Sequence, residues 1–468
     1  MPYKNIKRGV SNKMAKVSFC GVSGNGMSPL AQILKLKGDD VYGSDRDFDL
    51  DRNPAFQQAL TDVGIKIIPQ DGSGITKDIE TLYVSTAIEN NIPDIKRAVE
   101  QNIPIVRRFE LLAEIFHQYT HNIAIGGTSG KTTTTAMIGY VLDKLGQKPC
   151  MINGGILKNY ENRKGIANFI YNEGNICIIE ADESNGSIEK YHPYIALINN
   201  ISVDHKQLDE LVEIFENFAA RAKHAVVINA DNEYSNKIRP AHKQVVTFSI
   251  QTPRADFFAS DIKPVKNGTQ YSLDGKTFNL KLIGTFNVSN ALACIAVCSL
   301  LGIDKCEAAE ALESFEGTKR RLEILSVKND ITVIDDFAHN PDKVLASVSA
   351  LKAYPGRVIV MFQPHGFIPM KLTGRGIMES FAQAMDKEDI LLMPEIFTID
   401  GTFDTEISSQ MLIDYAKSLG VNARFISDKD AIRKFILNTA KPGDRIVIMG
   451  ARDITLTDFA KQIMQELP

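Results

Sequence analysis

The stretch NIAIGGTSGKTTTTAMIGYVLDKL, residues 122–145, decides how the rest of the chain is read. Its apolar start reads as a buried strand, its glycines as a tight turn, and its remainder as a helix without early breakers. A Walker-type loop has this order. It needs small residues so that backbone N–H groups face phosphate oxygens, a lysine to reach the outer phosphates, and a hydroxyl to hold magnesium. Gly130, Lys131 and Thr132 supply these, with Gly127, Thr128, Ser129 and Thr133 completing the turn. The match departs from the full motif at one place, since Ile125 stands five residues before Gly130 where glycine is usual. The preceding strand and following helix are the context the motif requires.

Working outward, 468 residues exceed what one core can hold and point to about three domains of roughly 100–200 residues each. Apolar residues make up 44% and charged residues 24%, the composition of a folded soluble chain. A formal net charge of -4, with Lys and Arg dispersed, argues against a nucleic-acid groove. The six cysteines show no CxxC spacing, and several lie in apolar runs such as ALACIAVCSLLG, so they read as reduced core residues. No apolar run is long enough to span a bilayer and the first residues lack a signal-peptide pattern, so the expected location is the cytoplasm, without membrane partners.

Strands alternate with helical segments in three blocks, which predicts α/β domains with mostly parallel sheets. The expected divisions are an N-terminal Rossmann-like domain over 1–119, a central P-loop domain over 120–318 and a C-terminal Rossmann-like domain over 319–468. In the first block KVSFCG, DDVYGSD, TLYVSTA and IPIVRR read as strands. In the central block the turn pairs Asn267-Gly268 and Asp274-Gly275 predict a small antiparallel patch. The third block carries the apolar strands ITVIDDFA, RVIVMFQP, DILLMP and DRIVIMGA.

Two further groups of residues carry chemistry. GVSGNGMS, with Gly21, Gly24 and Gly26, follows a strand and opens a helix, although the spacing is not that of dinucleotide sites; either a nucleotide diphosphate lies on this helix start or the glycines only permit tight packing. Asp45, at the end of the second strand, is positioned to meet a ribose hydroxyl. In the central block Glu180 ends an apolar strand and His205 follows another, both at the carboxyl edge shared with Lys131. Thr132 and Glu180 are hard oxygen donors suited to magnesium, and His205 suits a second metal position.

Together GVSGNGMS, GTSGKTTTT, EADES, NNISVDH, GTFNVSNALA, FEGTKRR, DDFAHNP, FQPH and MGARDI resemble the Mur ligase family over nearly the whole chain, nearest its alanine-adding branch. The resemblance implies an ATP-dependent ligase. Its N-terminal domain would hold a UDP-N-acetylmuramate-type carboxylate, its central domain ATP and Mg2+, and its C-terminal domain would close over ATP and bring in an amino acid, most simply L-alanine. It implies Lys131 on the outer phosphates, Thr132 and Glu180 on magnesium and His205 at a second metal. It assigns Asn287, Asn290, Arg321, Asp336 and His339 to the nucleotide, and Gly21, Gly24, Gly26, Met27, Ser28, Asp45, Ser184 and His365 to the substrates. The expected assembly is a monomer or homodimer.

Departures from that branch fall at Ser129 and Phe286, where histidine is usual, at Asn340 in place of a second histidine, at Gly366 in place of arginine, and at Arg452 in place of glycine. Losing a planar cation at 366 changes how a carboxylate or phosphate is held there. A recycling ligase that attaches a preformed peptide, or a paralogue with another carboxylate, therefore stays open beside the alanine-adding reading. So do two readings from other classes. A nicotinamide-dependent oxidoreductase would leave GKTTTT without a role, and a P-loop ATPase would turn over ATP without an amine.

Overall fold

The computed structural model describes residues 14–85, 88–184, 186–202, 207–241, 243–266, 268–398 and 406–467. By the density of contacts they group into two compact units, Met1–Phe257 with Asn290–Phe315, and Phe258–Ser289 with Glu316–Pro468.

The first unit contains two sheets. β1 (Lys16–Cys20), β2 (Asp40–Ser44), β3 (Lys66–Ile67), β4 (Thr81–Val84) and β5 (Ile105–Arg107) form a sheet of order β3-β2-β1-β4-β5, parallel throughout. The second comprises β6 (His121–Gly126), β7 (Cys150–Ile152), β8 (Phe169–Ile170), β9 (Ile176–Glu180), β10 (Ile195–Ile198), β11 (Ala225–Asn229) and β12 (Gln244–Ser249), in the order β12-β11-β10-β6-β9-β7-β8. All its pairings are parallel except β7 with β8. The central strands read as continuous apolar runs because helices cover both faces, leaving no solvated side to alternate toward. One such helix, Lys131–Lys144, is buried from Thr133 to Leu142. It approaches the sheet closely at Gly139, where a Cβ would fall 2.7 Å from the Met151 side chain. A single apolar cluster joins Leu30, Phe116, Ile179, Tyr191 and Phe215, so residues from both sheets share one core in this unit.

In the second unit β13 (Phe257–Val265), β14 (Gly268–Leu273) and β15 (Lys276–Leu280) form the expected antiparallel patch. Its β14–β15 hairpin turns at Asp274 and Gly275, with φ of 50° and 77°. Positive φ at both central positions is what an Asp-Gly turn supplies. The other anticipated turn begins at Asn267, which lies outside the described residues. β16 (Glu323–Lys328), β17 (Ile331–Asp336), β18 (Val358–Phe362), β19 (Ile390–Met393), β20 (Ala423–Phe425) and β21 (Arg445–Met449) form a sheet of order β16-β17-β21-β18-β19-β20. Only β16 runs antiparallel to its neighbour.

Five of the six cysteines are buried and all are free thiols. Among the described residues no helix is long and apolar enough to cross a membrane.

Candidate functional site

The carboxyl ends of β6, β9 and β10 lie side by side, because Ile125 pairs with Glu180 and Gly126 with Ile198. Whatever follows these strands therefore meets at one edge, and here it is the glycine turn, Glu180 and the pair Asn199–Asn200. In open parallel sheets ligands bind at this edge, where strand order switches.

The turn itself is shaped by Gly127 and Gly130, at φ of 132° and 82°. Gly130 has no room for a side chain, since a Cβ would fall 2.4 Å from Asn199 Nδ2 and 2.7 Å from Asn290 Oδ1. Asn199 Nδ2 donates to Asn290 Oδ1 at 2.9 Å and to Thr134 Oγ1 at 3.0 Å. Thr134 Oγ1 in turn donates to Asn290 Oδ1 at 3.2 Å. Asn200 Oδ1 accepts from the Ser129 amide and the Thr128 hydroxyl, both at 2.8 Å. The Thr128 amide donates to the Asn200 carbonyl. These bonds fix the outer part of the turn. They leave the first-turn amides of the helix, from Lys131 to Thr133, without intrahelical acceptors and pointing along the helix axis, where the dipole favours an anion.

The charged residues are arranged just as tightly. Lys131 Nζ donates to Glu183 Oε2 at 2.7 Å and to the Gly127 carbonyl. Glu183 is buried, so the pair holds its charge away from water. Thr132 Oγ1 donates to Glu180 Oε2 at 2.8 Å, while Glu180 Oε1 accepts the Gly154 amide. Two hard oxygens thus meet beside the turn, a donor set suited to magnesium. Among the described residues no three His, Cys, Asp or Glu side chains converge on one point. His205, expected at a second metal, lies outside the described residues.

The earlier glycine turn follows β1. Gly21, at φ of 83°, and Val22 donate their amides to the Ser44 carbonyl at the end of β2. Asp45 accepts the Ser23 amide at 2.8 Å through Oδ2 and the Asp47 amide at 3.1 Å through Oδ1. Its carboxylate thus spans the two loops and caps the short helix Arg46–Asp49, a structural duty the sequence had not suggested. Met27 and Ser28 are fully buried. Ser28 Oγ donates to the Gly24 carbonyl and accepts Asn168 Nδ2 at 2.9 Å, so both residues anchor the turn from beneath. Ser184 is exposed, with its amide and hydroxyl on Asp182 Oδ1.

In the second unit Asn287 Nδ2 donates to the Ile283 carbonyl at 2.8 Å. The other expected residues cluster at the carboxyl ends of β17 and β18. Asp336 ends β17 and accepts the Leu322 amide at 3.1 Å, and burial pushes its carboxyl above the usual range. Arg321 lies over the Phe337 ring, 4.7 Å from its centroid. His339 shares a 2.9 Å hydrogen bond with the Phe337 carbonyl. Its ring stands 5.6 Å from that of His365. Burial and the nearby Lys343 charge bring His339 down to about 4, and burial with the Arg452 charge lowers His365 as well. Both rings are neutral near pH 7. Of the sites that depart from the alanine-adding branch, Gly366 stands at φ of 70°, a conformation that disfavours any other residue.

Sequence reasoning missed Glu183, Asn199 and Asn200. Each had a signal: Glu183 lies three residues beyond Glu180 and the asparagines directly end a strand of the edge that carries the turn.

The chain is matched by three family models, described as the Mur ligase family catalytic domain over residues 16–120, the Mur ligase middle domain over 125–298 and the Mur ligase glutamate ligase domain over 320–452. It is 33% identical over 467 residues to a UDP-N-acetylmuramate--L-alanine ligase of Sulfurihydrogenibium sp., covering 97% of this chain and 99% of the relative. A ligase of the same name from Streptomyces coelicolor is 32% identical, covering 98% and 99%. Among solved structures, UDP-N-acetylmuramate-alanine ligase from Thermotoga maritima aligns with a TM-score of 0.78 and 27% identity, over 97% of this chain and 99% of that one. A murein peptide ligase from Psychrobacter arcticus, 22% identical with a TM-score of 0.68 over 97% and 98%, shares the fold. With a glycine turn, a paired lysine and two hard oxygens on one sheet edge, and with relatives matched end to end, this chain belongs to the Mur ligase family and is an ATP-dependent ligase that forms amides.

Proposed function

We propose that the protein joins L-alanine to the carboxylate of UDP-N-acetylmuramate in the cytoplasm, as a step of peptidoglycan synthesis. The observation that carries this reading is the edge where Lys131, Thr132 and Glu180 meet, in a chain about one-third identical to alanine-adding ligases over its whole length.

In this reading the γ-phosphoryl of ATP passes to the muramic carboxylate, giving an acyl phosphate, and the amine attacks that carbon and expels phosphate. Positioning and charge stabilisation carry such a transfer, with no protein nucleophile. Lys131 leaves Glu183 and the Gly127 carbonyl for the phosphate oxygens as ATP enters. The amides of the first helical turn meet the same oxygens, and Asn199, Asn200 and Asn290 keep the turn from relaxing. Thr132 and Glu180 would hold magnesium, with His205 at a second position, and magnesium supplies charge neutralisation on the phosphates. The turn at Gly21, Gly24 and Gly26 takes the diphosphate of the sugar nucleotide. Asn287, Arg321, Asp336 and His339 serve the nucleotide, and His365 with Ser184 the substrates.

The test is phosphate release from ATP and magnesium with UDP-N-acetylmuramate, with and without each of a panel of amino acids and the murein tripeptide. Release that requires the sugar nucleotide and is greatest with L-alanine is expected. Release driven by the tripeptide alone would move the protein to peptide recycling, consistent with the changes at Gly366 and Arg452. Release that ignores both partners would sink the ligase reading.

A further inference from the structure

The two glycine turns of the first unit follow strands of different sheets, and a buried joint ties them together. Gln32 and Ser28 lie one turn apart on the helix Ser28–Leu36, and Asn168 directly precedes β8. None of the three is more than 1% exposed, so water takes no part in their hydrogen bonds. Gln32 Oε1 accepts the Ile166 amide at 2.8 Å, while its Nε2 donates to the Ile166 carbonyl at 3.4 Å and the Ser28 carbonyl at 3.1 Å. One side-chain amide thus takes up both polar groups of the Ile166 backbone, as a neighbouring strand would. Gly165 makes room for it. It stands at φ of 85°, and a Cβ there would fall 2.3 Å from Gln32 Oε1.

Asn168 extends the joint in both directions. Its Nδ2 donates to the Asn25 carbonyl of the first glycine turn at 3.2 Å and to Ser28 Oγ at 2.9 Å, and Ser28 Oγ donates to the Gly24 carbonyl. Its own carbonyl accepts the amide of Asn153, just after β7, at 3.0 Å. The next amide, that of Gly154, goes to Glu180 Oε1, and Glu180 Oε2 takes the Thr132 hydroxyl. Here too the fit is close, since a Cβ on Gly154 would fall 2.9 Å from Glu180 Oε1. A run of hydrogen bonds and one peptide unit therefore leads from the turn after β1 to the oxygen pair beside the turn after β6. At Gln32 and Asn168, loss of a side-chain amide would leave buried partners unsatisfied, and a fully satisfied buried network holds one geometry.

We propose that Asn168 and Gln32 are positioning residues for the phosphoryl transfer, setting the carboxylate of the substrate held at the first turn against the outer phosphate held at the second. The proposal rests on the reading of the two turns given above. Both residues act at one remove: Asn168 through the Asn25 carbonyl and the Asn153–Gly154 backbone, Gln32 through its grip on Ile166. Transfer between two bound groups needs them about 3–3.5 Å apart and aligned, and a displacement of about 1 Å costs roughly a hundredfold in rate. Such a shift leaves each ligand its own contacts, so the loss falls on the chemical step.

The experiment follows ADP formation before and at steady state, with ATP, magnesium, UDP-N-acetylmuramate and the most active amine of the panel above. It compares the native protein with Asn168→Ala and Gln32→Met. Methionine fills about the volume of glutamine without its amide, which keeps the test open if Asn168→Ala folds poorly. Val226→Ala, in the buried part of β11, is the control for lost stability alone. The rate of the chemical step should fall by about ten- to a hundredfold in both joint variants, while the KM for ATP and for the sugar nucleotide stay within about twofold. Val226→Ala, corrected for its folded fraction, should keep the native rate. Native rates in folded Asn168→Ala and Gln32→Met overturn the proposal, as does an equal loss in Val226→Ala. A change confined to the KM for the sugar nucleotide also overturns it, by making the joint a support for binding and not for alignment. If the native protein forms no ADP with this sugar nucleotide and any amine, the sugar-nucleotide reading itself fails and the proposal with it; an active native protein with active variants sinks the positioning role alone.

Discussion

The two glycine turns of the first unit share a plan and differ in how much each carries in itself. Both follow a buried parallel strand and open a helix at a carboxyl edge, one after β1 and one after β6. The turn after β6 carries its own cation in Lys131, paired with Glu183, and its own hard oxygen in Thr132, paired with Glu180. An asparagine network pins it from behind. In the turn after β1 the nearby carboxylate, Asp45, is spent on backbone amides, and the guanidinium that lies against Gly26, that of Arg108 in the helix Arg108–His117, comes from a distant stretch of chain. Under the proposed function the contrast has a reason: a triphosphate whose outer group must be transferred demands fixed charge at the site, whereas a diphosphate that is only held can be met by backbone amides.

The comparison would break most visibly at Lys131. Lys131→Ala should lower phosphate release by about three orders of magnitude, since an electrostatic contact acting on the transferred group is lost. The change leaves the buried Glu183 unpaired, so a Lys131→Ala, Glu183→Gln protein serves as the control for folding. Substantial turnover in either would remove Lys131 from the phosphate role. Next comes Gly130→Ala. It forces alanine to φ of 82° and drives a Cβ into Asn199 and Asn290, which should cost about 2–4 kcal/mol, read as a lowered denaturation midpoint with ATP binding lost. The counterpart Gly26 has no such φ, and its Cβ would meet only a movable arginine, so Gly26→Ala should leave stability nearly unchanged.

Asn199→Asp is a subtler probe of the network. Aspartate keeps the size but loses both donors, so the Asn290 amide would rotate to present its NH2 inward. ATP affinity should fall by roughly tenfold, for one to two hydrogen bonds in a buried setting. An Asn199→Asp protein with native ATP affinity would mean that the turn holds its shape without the asparagines.

This contrast also explains what the sequence disclosed. The turn after β6 was legible because its cation and hydroxyl are consecutive with its glycines, and strand and helix flank it at fixed spacing. The parallel core strands β1, β6, β9, β10, β18 and β21 were legible as apolar runs, whereas β7 and β11, equally buried, were not picked out. β3 and β20 were not, being two and three residues long with exposed positions, nor was β16, a half-exposed edge strand with little apolar pattern. Glu183 and Asn199 escaped because their partners are remote: Glu183 meets Lys131 across 52 positions and Asn199 meets Asn290 across 91. Spacing along a chain cannot show which strand ends become neighbours. Asp45 was found at the predicted strand end, yet its two hydrogen bonds give it work that position alone does not reveal.

That residue offers the smallest and most discriminating effect. Asp45→Ala removes the acceptor for the Ser23 and Asp47 amides, and loss of such a cap costs about 1 kcal/mol. The first glycine turn should loosen and the Kd for UDP rise by about fivefold, the same free energy expressed as affinity. Two causes would look alike in that number, a looser turn or a lost contact with the ribose. Repeating the titration with 2′-deoxy-UDP and 3′-deoxy-UDP separates them. If Asp45 only ties the loops together, UDP and both deoxy analogues lose the same factor in the variant. If it also accepts a ribose hydroxyl, the analogue lacking that hydroxyl is already weak in the native protein and loses less on mutation than UDP does. With both carboxylate oxygens already serving the backbone, the equal loss is the expected result, and it would make Asp45 a scaffold of this turn and not a reader of the ribose.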